Sequence, residues 1–250
     1  MLLAVVVTSV LLNVVRVFLV DWDLRVTRTP QGLRRNAGLL SKTSVASSLP
    51  RVQRLKVSQR MLERTLGLHT TRLQPVGEAE FVVPGCSVDQ VSLLRSLALD
   101  GSQGVRVLDR RISPLEIFRQ TRNAVVVVGP IGIGLAVAWN PWAILVLVFI
   151  PVTWLRARRI VAEYRWGLAH DSLARYRRLL GWSKEETLLR KTNGVIVRQS
   201  LFERKRNLAT VRVDLAGGTA LSIGMIPLRD AIAVRDRALY VAETDPRPFM

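Results

Sequence analysis

The sequence predicts an α+β membrane protein. Two copies of one small, strongly bent sheet or barrel are each closed by a C-terminal helix, and transmembrane α-helices precede and separate them. Three observations lead there. Residues 49–74 recur at 189–214 at a constant offset of 140, so that Leu49, Val57, Gln59, Glu63, Arg64, Leu68, Thr70 and Arg72 meet Leu189, Val197, Gln199, Glu203, Arg204, Leu208, Thr210 and Arg212. Composition alone gives roughly one or two such identities by chance over a window of this size. Two apolar blocks, residues 1–20 and 124–155, carry most of the hydrophobic excess. Within each copy, apolar and polar residues alternate with a period near two, the pattern of half-buried strands.

With 250 residues, each copy has roughly 80–100 residues, enough to bury a core of its own. The expected organisation is a transmembrane helix at 1–20, a first domain with its trailing linker at 21–110, a helical hairpin at 113–156, a second domain at 157–243 and a tail at 244–250. Cys86 is the single cysteine, which excludes an internal disulfide framework and suits domains on the cytoplasmic side. Formal charge is +18, from 37 Lys and Arg against 19 Asp and Glu. A GC-rich coding sequence accounts for the arginine excess as well as function does. The surface is strongly basic either way.

Residues 1–20 reach the length of a spanning helix, and Arg16 lies near enough to the end to snorkel. A signal peptide fits them poorly, since they have no basic n-region and no small-residue cleavage site. The second block, Ala124 to Leu155, runs without a charge. As one helix it would be about 48 Å long, well beyond a hydrocarbon core of about 30 Å. Trp139-Asn140-Pro141-Trp142 in its middle reads as a turn with interfacial tryptophans, so a hairpin fits better than one span. Ser113, Pro114 and Glu116 read as N-cap, N1 and N3 of a capping box that opens the first leg. Arg119 and Arg122 precede the block, and Arg156, Arg158 and Arg159 follow it. Basic residues at both ends put both ends in the cytoplasm, which a hairpin satisfies. A multi-pass membrane protein with both soluble domains cytoplasmic is the expectation.

In the second copy Ala209, Val211, Val213 and Leu215 alternate with Thr210, Arg212 and Asp214, and Gly194 to Gln199 is rich in β-branched residues. Leu55–Gln59 and Leu68–Leu73 are the matching strands of the first. The turns between them end on Gly67 and Asn207, the two residue types that most easily take positive φ, so a left-handed residue is expected there. Each copy closes on a helix, Ser87–Ala98 with a Ser87 cap and Pro227–Leu239 with Pro227 at N1.

The runs Leu24-Arg25-Val26, Gly38-Leu39-Leu40, Leu49-Pro50-Arg51-Val52-Gln53 and Leu62-Glu63-Arg64-Thr65-Leu66-Gly67-Leu68 resemble bacterial pleckstrin-homology-like (PH-like) domains, most closely those of the multi-spanning YdbS/YdbT type. The second copy departs from this pattern, with Lys191-Thr192-Asn193 for the Arg-Val-Gln and Asn207 for the glycine. The resemblance implies a seven-stranded, strongly bent sheet closed by a C-terminal helix, and a repeated unit of domain plus hairpin. In that family a hydrophobic pair commonly precedes the first domain. Here one helix does, which leaves room for a missing N-terminal part.

No constellation of catalytic groups stands out. The HExxH, CxxC, P-loop and GxSxG patterns are absent, and neither a cofactor nor a metal is implied. His69 aligns with Ala209 and reads as a tolerated surface or core residue. Glu63 and Glu203, each beside Arg64 or Arg204, read as solvated charge pairs in the turn. Gly129-Pro130-Ile131-Gly132-Ile133-Gly134 reads as close helix packing in lipid. Cys86 has no partner for nucleophilic work.

The basic residues are the remaining functional signal. Arg51, Arg54, Lys56, Arg60 and Arg64 in the first copy and Lys191, Arg198, Arg204, Lys205 and Arg206 in the second are the candidate lipid- or partner-binding residues. Near an anionic bilayer each contributes about 1 kcal/mol of attraction. Generic electrostatics outweighs specific headgroup recognition at this level, because no compact pocket can be drawn from sequence. Nucleic acid is not an expected partner. The expectation is a non-enzymatic membrane protein whose modules bind protein partners, anionic lipid headgroups, or both. The alternative is an accessory subunit of a membrane transporter or lipid-modifying complex, disfavoured because residues 124–155 hold no ionisable group.

Overall fold

A computed structural model describes residue 8 and residues 19–99, 104–105, 107–138 and 141–245. Most of the block 1–20 and the Trp139-Asn140 turn therefore lie outside the described residues.

In the first copy, β1 (Arg25–Thr29), β2 (Gly32–Ala37) and β3 (Thr43–Ser48) form one antiparallel sheet. A second sheet contains β4 (Val52–Gln59), β5 (His69–Pro75) and β6 (Phe81–Cys86), with the short helix α1 (Met61–Thr65) between β4 and β5 and the closing helix α2 (Val88–Ala98) after β6. Next come α3 (Leu115–Ala138), a 3-10 segment (Pro141–Val148) and α4 (Phe149–Glu163). The second copy repeats the first: β7 (Arg165–Leu168), β8 (Ser172–Arg178), β9 (Trp182–Leu188), β10 (Thr192–Arg198), α5 (Leu201–Arg204), β11 (Leu208–Leu215), β12 (Ala220–Pro227) and α6 (Leu228–Thr244).

The offset of 140 extends far beyond residues 49–74. Arg25 opens β1 where Arg165 opens β7, the 3-10 turns Leu49–Arg51 and Leu189–Lys191 coincide, and Val88 opens α2 where Leu228 opens α6. Among the described residues each copy has six strands in two three-stranded layers, one fewer than the resemblance implies. Gly67 and Asn207 take φ of 66° and 51°, the left-handed turn residues expected before β5 and β11. Ser87 caps α2 by accepting from the Gln90 amide, and the Gln90 side chain returns to the Ser87 N–H.

The two copies are not separate bodies. β4 of the first pairs antiparallel with β9 of the second, from Arg54 opposite Thr187 to Gln59 opposite Trp182. A continuous six-stranded sheet results, in the order β6-β5-β4-β9-β8-β7. Leu188 of β9 is fully buried in the first copy's core with Val52, Leu55, Leu73 and Phe81. The second core gathers Trp166, Leu173, Val211, Ile223 and Val234.

Charge reinforces this seam. Glu185 and Glu186 are adjacent in β9 and only 3% and 2% exposed. A buried carboxylate is tolerated only when it is paired and hydrogen-bonded. Glu185 lies 2.8 Å from Arg175 of its own copy, and 3.3 and 3.7 Å from Lys56 and Arg54 of the other. Burial alone would push its carboxyl up, but these three cations hold it below the ordinary carboxylate range. Glu186 faces the opposite side. Arg95 of α2 grips it through two bonds of 3.0 Å, and the Val105 amide donates at 2.7 Å. Thr187 Oγ1 donates to Gln53 O at 3.0 Å, and Lys191 Nζ donates to the carbonyls of Val52, at 2.9 Å, and Pro50.

The hairpin geometry departs from expectation in detail. α3 packs back against the 3-10 segment and α4, with Gly132 buried where an added Cβ would lie 3.0 Å from Leu147. Gly129 and Gly134 face open space, so only Gly132 fits the close-packing reading. The capping box at Ser113 does not close. Ser113 Oγ accepts from the Leu115 amide, and Glu116 turns forward to Arg119 and Gln120 at 2.9 and 2.7 Å. α3 alone is long and apolar enough to cross a membrane among the described residues; the return path is divided between the 3-10 segment and α4.

Glu186→Ala leaves the partly buried Arg95 and the Val105 amide without their acceptor. It is expected to cost about 3 kcal/mol, read as a lowered denaturant midpoint of the full chain in detergent. Retention of the wild-type midpoint would show that Glu186 is dispensable to the seam.

Candidate functional site

The β4–β9 pairing creates a strongly basic concavity. A cleft of about 400 Å³ is lined by Lys56, Ser58, Gln59 and Arg60 from the end of β4, Arg72 from β5, Arg177, Arg178, Gly181, Trp182 and Ser183 from the β8–β9 hairpin, and Arg156 and Ile160 from α4. Six of these side chains are cationic and none is acidic. Lys56 lies 3.3 Å from Glu185 and Arg72 lies 3.3 Å from Glu80. Arg60, Arg156, Arg177 and Arg178 have no carboxylate partner among the described residues. Four unneutralised guanidinium groups, each a planar multi-donor fork, suit the oxygens of a phosphate.

Trp182 forms the aromatic wall. Its indole N–H donates to Gln59 Oε1 at 2.9 Å across the seam, and its ring is flanked by His69 at 5.5 Å and Tyr176 at 6.0 Å between centroids. His69 is thus a packing residue, half-buried against Trp182. Arg156 lies on α4 directly after the apolar stretch Phe149–Leu155, so the cleft opens beside the end of the hairpin.

The repeated turns both carry exposed apolar residues. Arg60 leads directly into α1, where Leu62 is exposed, as is Leu66 at its C-cap. In the second copy Leu201 is exposed, and Phe202 stacks on Phe118 of α3 at 5.9 Å with the Arg122 guanidinium 5.9 Å from its ring. The second turn therefore lies against the start of α3, apolar at the tip and basic around it. The glutamates are not solvated pairs with the neighbouring arginines. Glu63 accepts from the Arg60 amide and Thr70 Oγ1 at 2.7 and 2.5 Å, and Glu203 from the Ser200 amide and Thr210 Oγ1 at 2.8 and 2.7 Å. They are internal braces of the turn. Burial works against the charge on Glu203, yet the hydrogen bonds from Ser200 and Thr210 and the Arg119 charge hold its carboxyl below the ordinary range.

The structure divides the sequence-predicted basic residues. Lys56 and Arg60 line the cleft. Arg64, Arg198, Arg204, Lys205 and Arg206 are exposed, the last three around the turn that carries Phe202. Arg51 pairs with Glu78 at 3.4 Å. Arg54 is committed inward, to Gln74 Oε1 at 2.6 Å, Ala220 O at 3.2 Å and Glu185. Lys191 is buried, with its ammonium on backbone carbonyls of the first copy, and serves the seam instead of a surface. Arg156, Arg177, Arg178 and Trp182 complete the cleft and were not among the sequence candidates. Arg177-Arg178 beside Leu179-Leu180-Gly181-Trp182 was the available signal. It points to Lys56 and Arg60 only once the β4–β9 register is known.

A family model for the bacterial PH domain matches residues 1–101 and again residues 123–241. The chain belongs to the bacterial PH domain family. No curated protein and no solved structure matches it. The bacterial PH domain thus occurs here twice, and the cleft lies at the joint between its two copies. Among the described residues no group of three or more His, Cys, Asp or Glu could hold a metal ion.

The Glu203 brace gives a pH signature. A carboxyl held lower in the folded chain than in the unfolded one contributes stability above its unfolded pKa, and this is lost as pH falls through the folded value. Glu203→Gln is therefore expected to cost about 1 kcal/mol at neutral pH, the size of a lost cap. The gap to wild type should close on acidification, read as converging denaturant midpoints. A pH-independent gap would refute the brace as an ionised group.

Proposed function

We propose that this chain is a non-enzymatic integral protein of a bacterial cell membrane, of the YdbS/YdbT type, whose two fused PH-like modules bind anionic lipid headgroups at the cytoplasmic surface. The observation that carries this reading is the cleft itself. Four arginines without carboxylate partners among the described residues converge on the seam, and one of them, Arg156, follows directly on the apolar return leg of the hairpin.

Four further features support it. PH-like domains as a class point to lipid or protein binding. The outer faces of α3 and α4 expose Val126, Val127, Ile133, Val137, Phe149 and Val152, an apolar band that needs lipid around it. The exposed Leu62, Leu66 and Leu201 at the two turns sit where shallow insertion would bring the basic collar against the headgroups. The domain-hairpin-domain order, with Arg119, Arg122, Arg156, Arg158 and Arg159 flanking the hairpin, is what the positive-inside rule asks of two cytoplasmic modules.

The test uses the full chain in neutral detergent, because an isolated first module would expose the β4 edge that the seam covers. Short-chain phosphatidylglycerol is titrated against short-chain phosphatidylcholine while tryptophan fluorescence is followed. Arg177→Ala with Arg178→Ala removes about 2 kcal/mol of attraction, a loss of about thirtyfold in affinity for the anionic lipid. Selective binding that survives 0.3 M salt and is lost in the double variant is the expected result. Equal binding of both lipids, or no effect of the variant, would refute the reading.

A further inference from the structure

The two copies differ at one groove. In the second copy, residues 107–113 run as an extended strap across the space between β7, the end of β12 and α6. Arg110 and Trp166 exchange both backbone hydrogen bonds, at 3.1 and 2.9 Å. The Ser113 amide donates to the Met225 carbonyl at 2.8 Å. Ile112 enters the core with Trp166, Val161 and Val234. The Arg110 guanidinium lies 5.0 Å from the Trp166 ring and 3.5 Å from Asp230.

Subtracting 140 turns Trp166, Met225, Asp230 and Val234 into Val26, Gly85, Gln90 and Leu94. These four line an open, largely apolar groove of about 450 Å³ between β1, β6 and α2. The backbone is matched at the decisive point. Met225 has φ 55° and Gly85 has φ 72°. A left-handed methionine is uncommon and is held only by its surroundings. It is the residue whose carbonyl anchors the strap at Ser113. The first copy thus keeps the cradle and the anchoring conformation.

We propose that the groove of the first copy binds an extended segment of a partner protein, which adds to β1 opposite Val26 as the strap adds to β7 opposite Trp166. This is recognition by strand addition, with the main chain giving affinity and the groove reading alternate side chains.

The differences between the copies define the occupant's chemistry. Val26 and Gln90 replace the ring and the carboxylate that hold Arg110, and Arg28 lines the groove. A cation in that position loses both partners and meets a like charge, so the occupant carries an uncharged, apolar residue there. Thr27 replaces Gly167, where an added Cβ would meet the Val107 carbonyl at 2.5 Å. Only the half of the strap from Leu108 onward therefore has a counterpart, and the occupant approaches from outside Thr27.

The experiment uses the full chain in detergent and two fluorescent peptides, residues 107–115 as they stand and the same peptide with Arg110→Leu, followed by anisotropy. The Leu peptide is expected to bind saturably and at least tenfold more tightly than the Arg peptide. Leu93→Glu, at a groove residue that is 59% exposed and so distant from the core, is expected to weaken the Leu peptide at least tenfold. Gln90→Glu keeps the cap of α2 and restores the carboxylate of the second copy; it should shift preference back toward the Arg peptide. Absence of saturable binding by the Leu peptide would overturn the proposal. So would binding equal in wild type and Leu93→Glu, the signature of partition into the micelle.

Discussion

The pairing of β4 with β9 is the constraint on which the rest depends. It is a main-chain ladder between two copies of one module, fixed in register by two buried carboxylates that point to opposite faces. Period-two geometry explains the division of labour: adjacent residues in a strand face opposite sides, so Glu185 gathers Lys56, Arg54 and Arg175, and Glu186 gathers Arg95 and the Val105 amide. A slip of one residue between β4 and β9 would turn Lys56 and Arg54 away from Glu185 and leave that buried carboxylate with Arg175 alone. The register that satisfies the carboxylates also sets Gln59 against Trp182 and closes the cleft.

That coupling gives the protein a property that neither module has alone. The cationic residues of the cleft come from β4, β5, the β8–β9 hairpin and α4, which are far apart in the chain. Repetition supplied two similar surfaces, and divergence made the junction distinctive. Glu185 and Glu186 correspond to Val45 and Ala46, and Arg54 and Lys56 to Gly194 and Ile196, so the charged joint exists once. Among the described residues the strap groove is filled in one copy and open in the other.

The repeat was legible because identity at a constant spacing survives without any knowledge of the fold. Gln59, Glu63, Leu68 and Thr70 recur because together they brace one turn, and the Gly67/Asn207 pair announced its left-handed residue. The seam was not legible. Alternation tells which face of a strand is buried but not which strand lies beside it, and the offset of 140 points each residue to its twin instead of its neighbour. Lys191 and Arg54 illustrate the consequence. By charge they belong with the surface cations, yet the ladder turns one onto backbone carbonyls and the other onto a buried carboxylate. Arg177 and Arg178 were visible as a basic pair, without a way to connect them to Arg60.

A double-mutant cycle across the seam tests the central claim most directly. Arg60→Ala in the first copy, Arg177→Ala in the second and the combined variant are each titrated with short-chain phosphatidylglycerol as full chains in detergent. If one headgroup bridges both copies, the losses are non-additive, with a coupling of at least about 0.5 kcal/mol. Strictly additive losses, or a loss confined to one side, would contradict a site built by the seam.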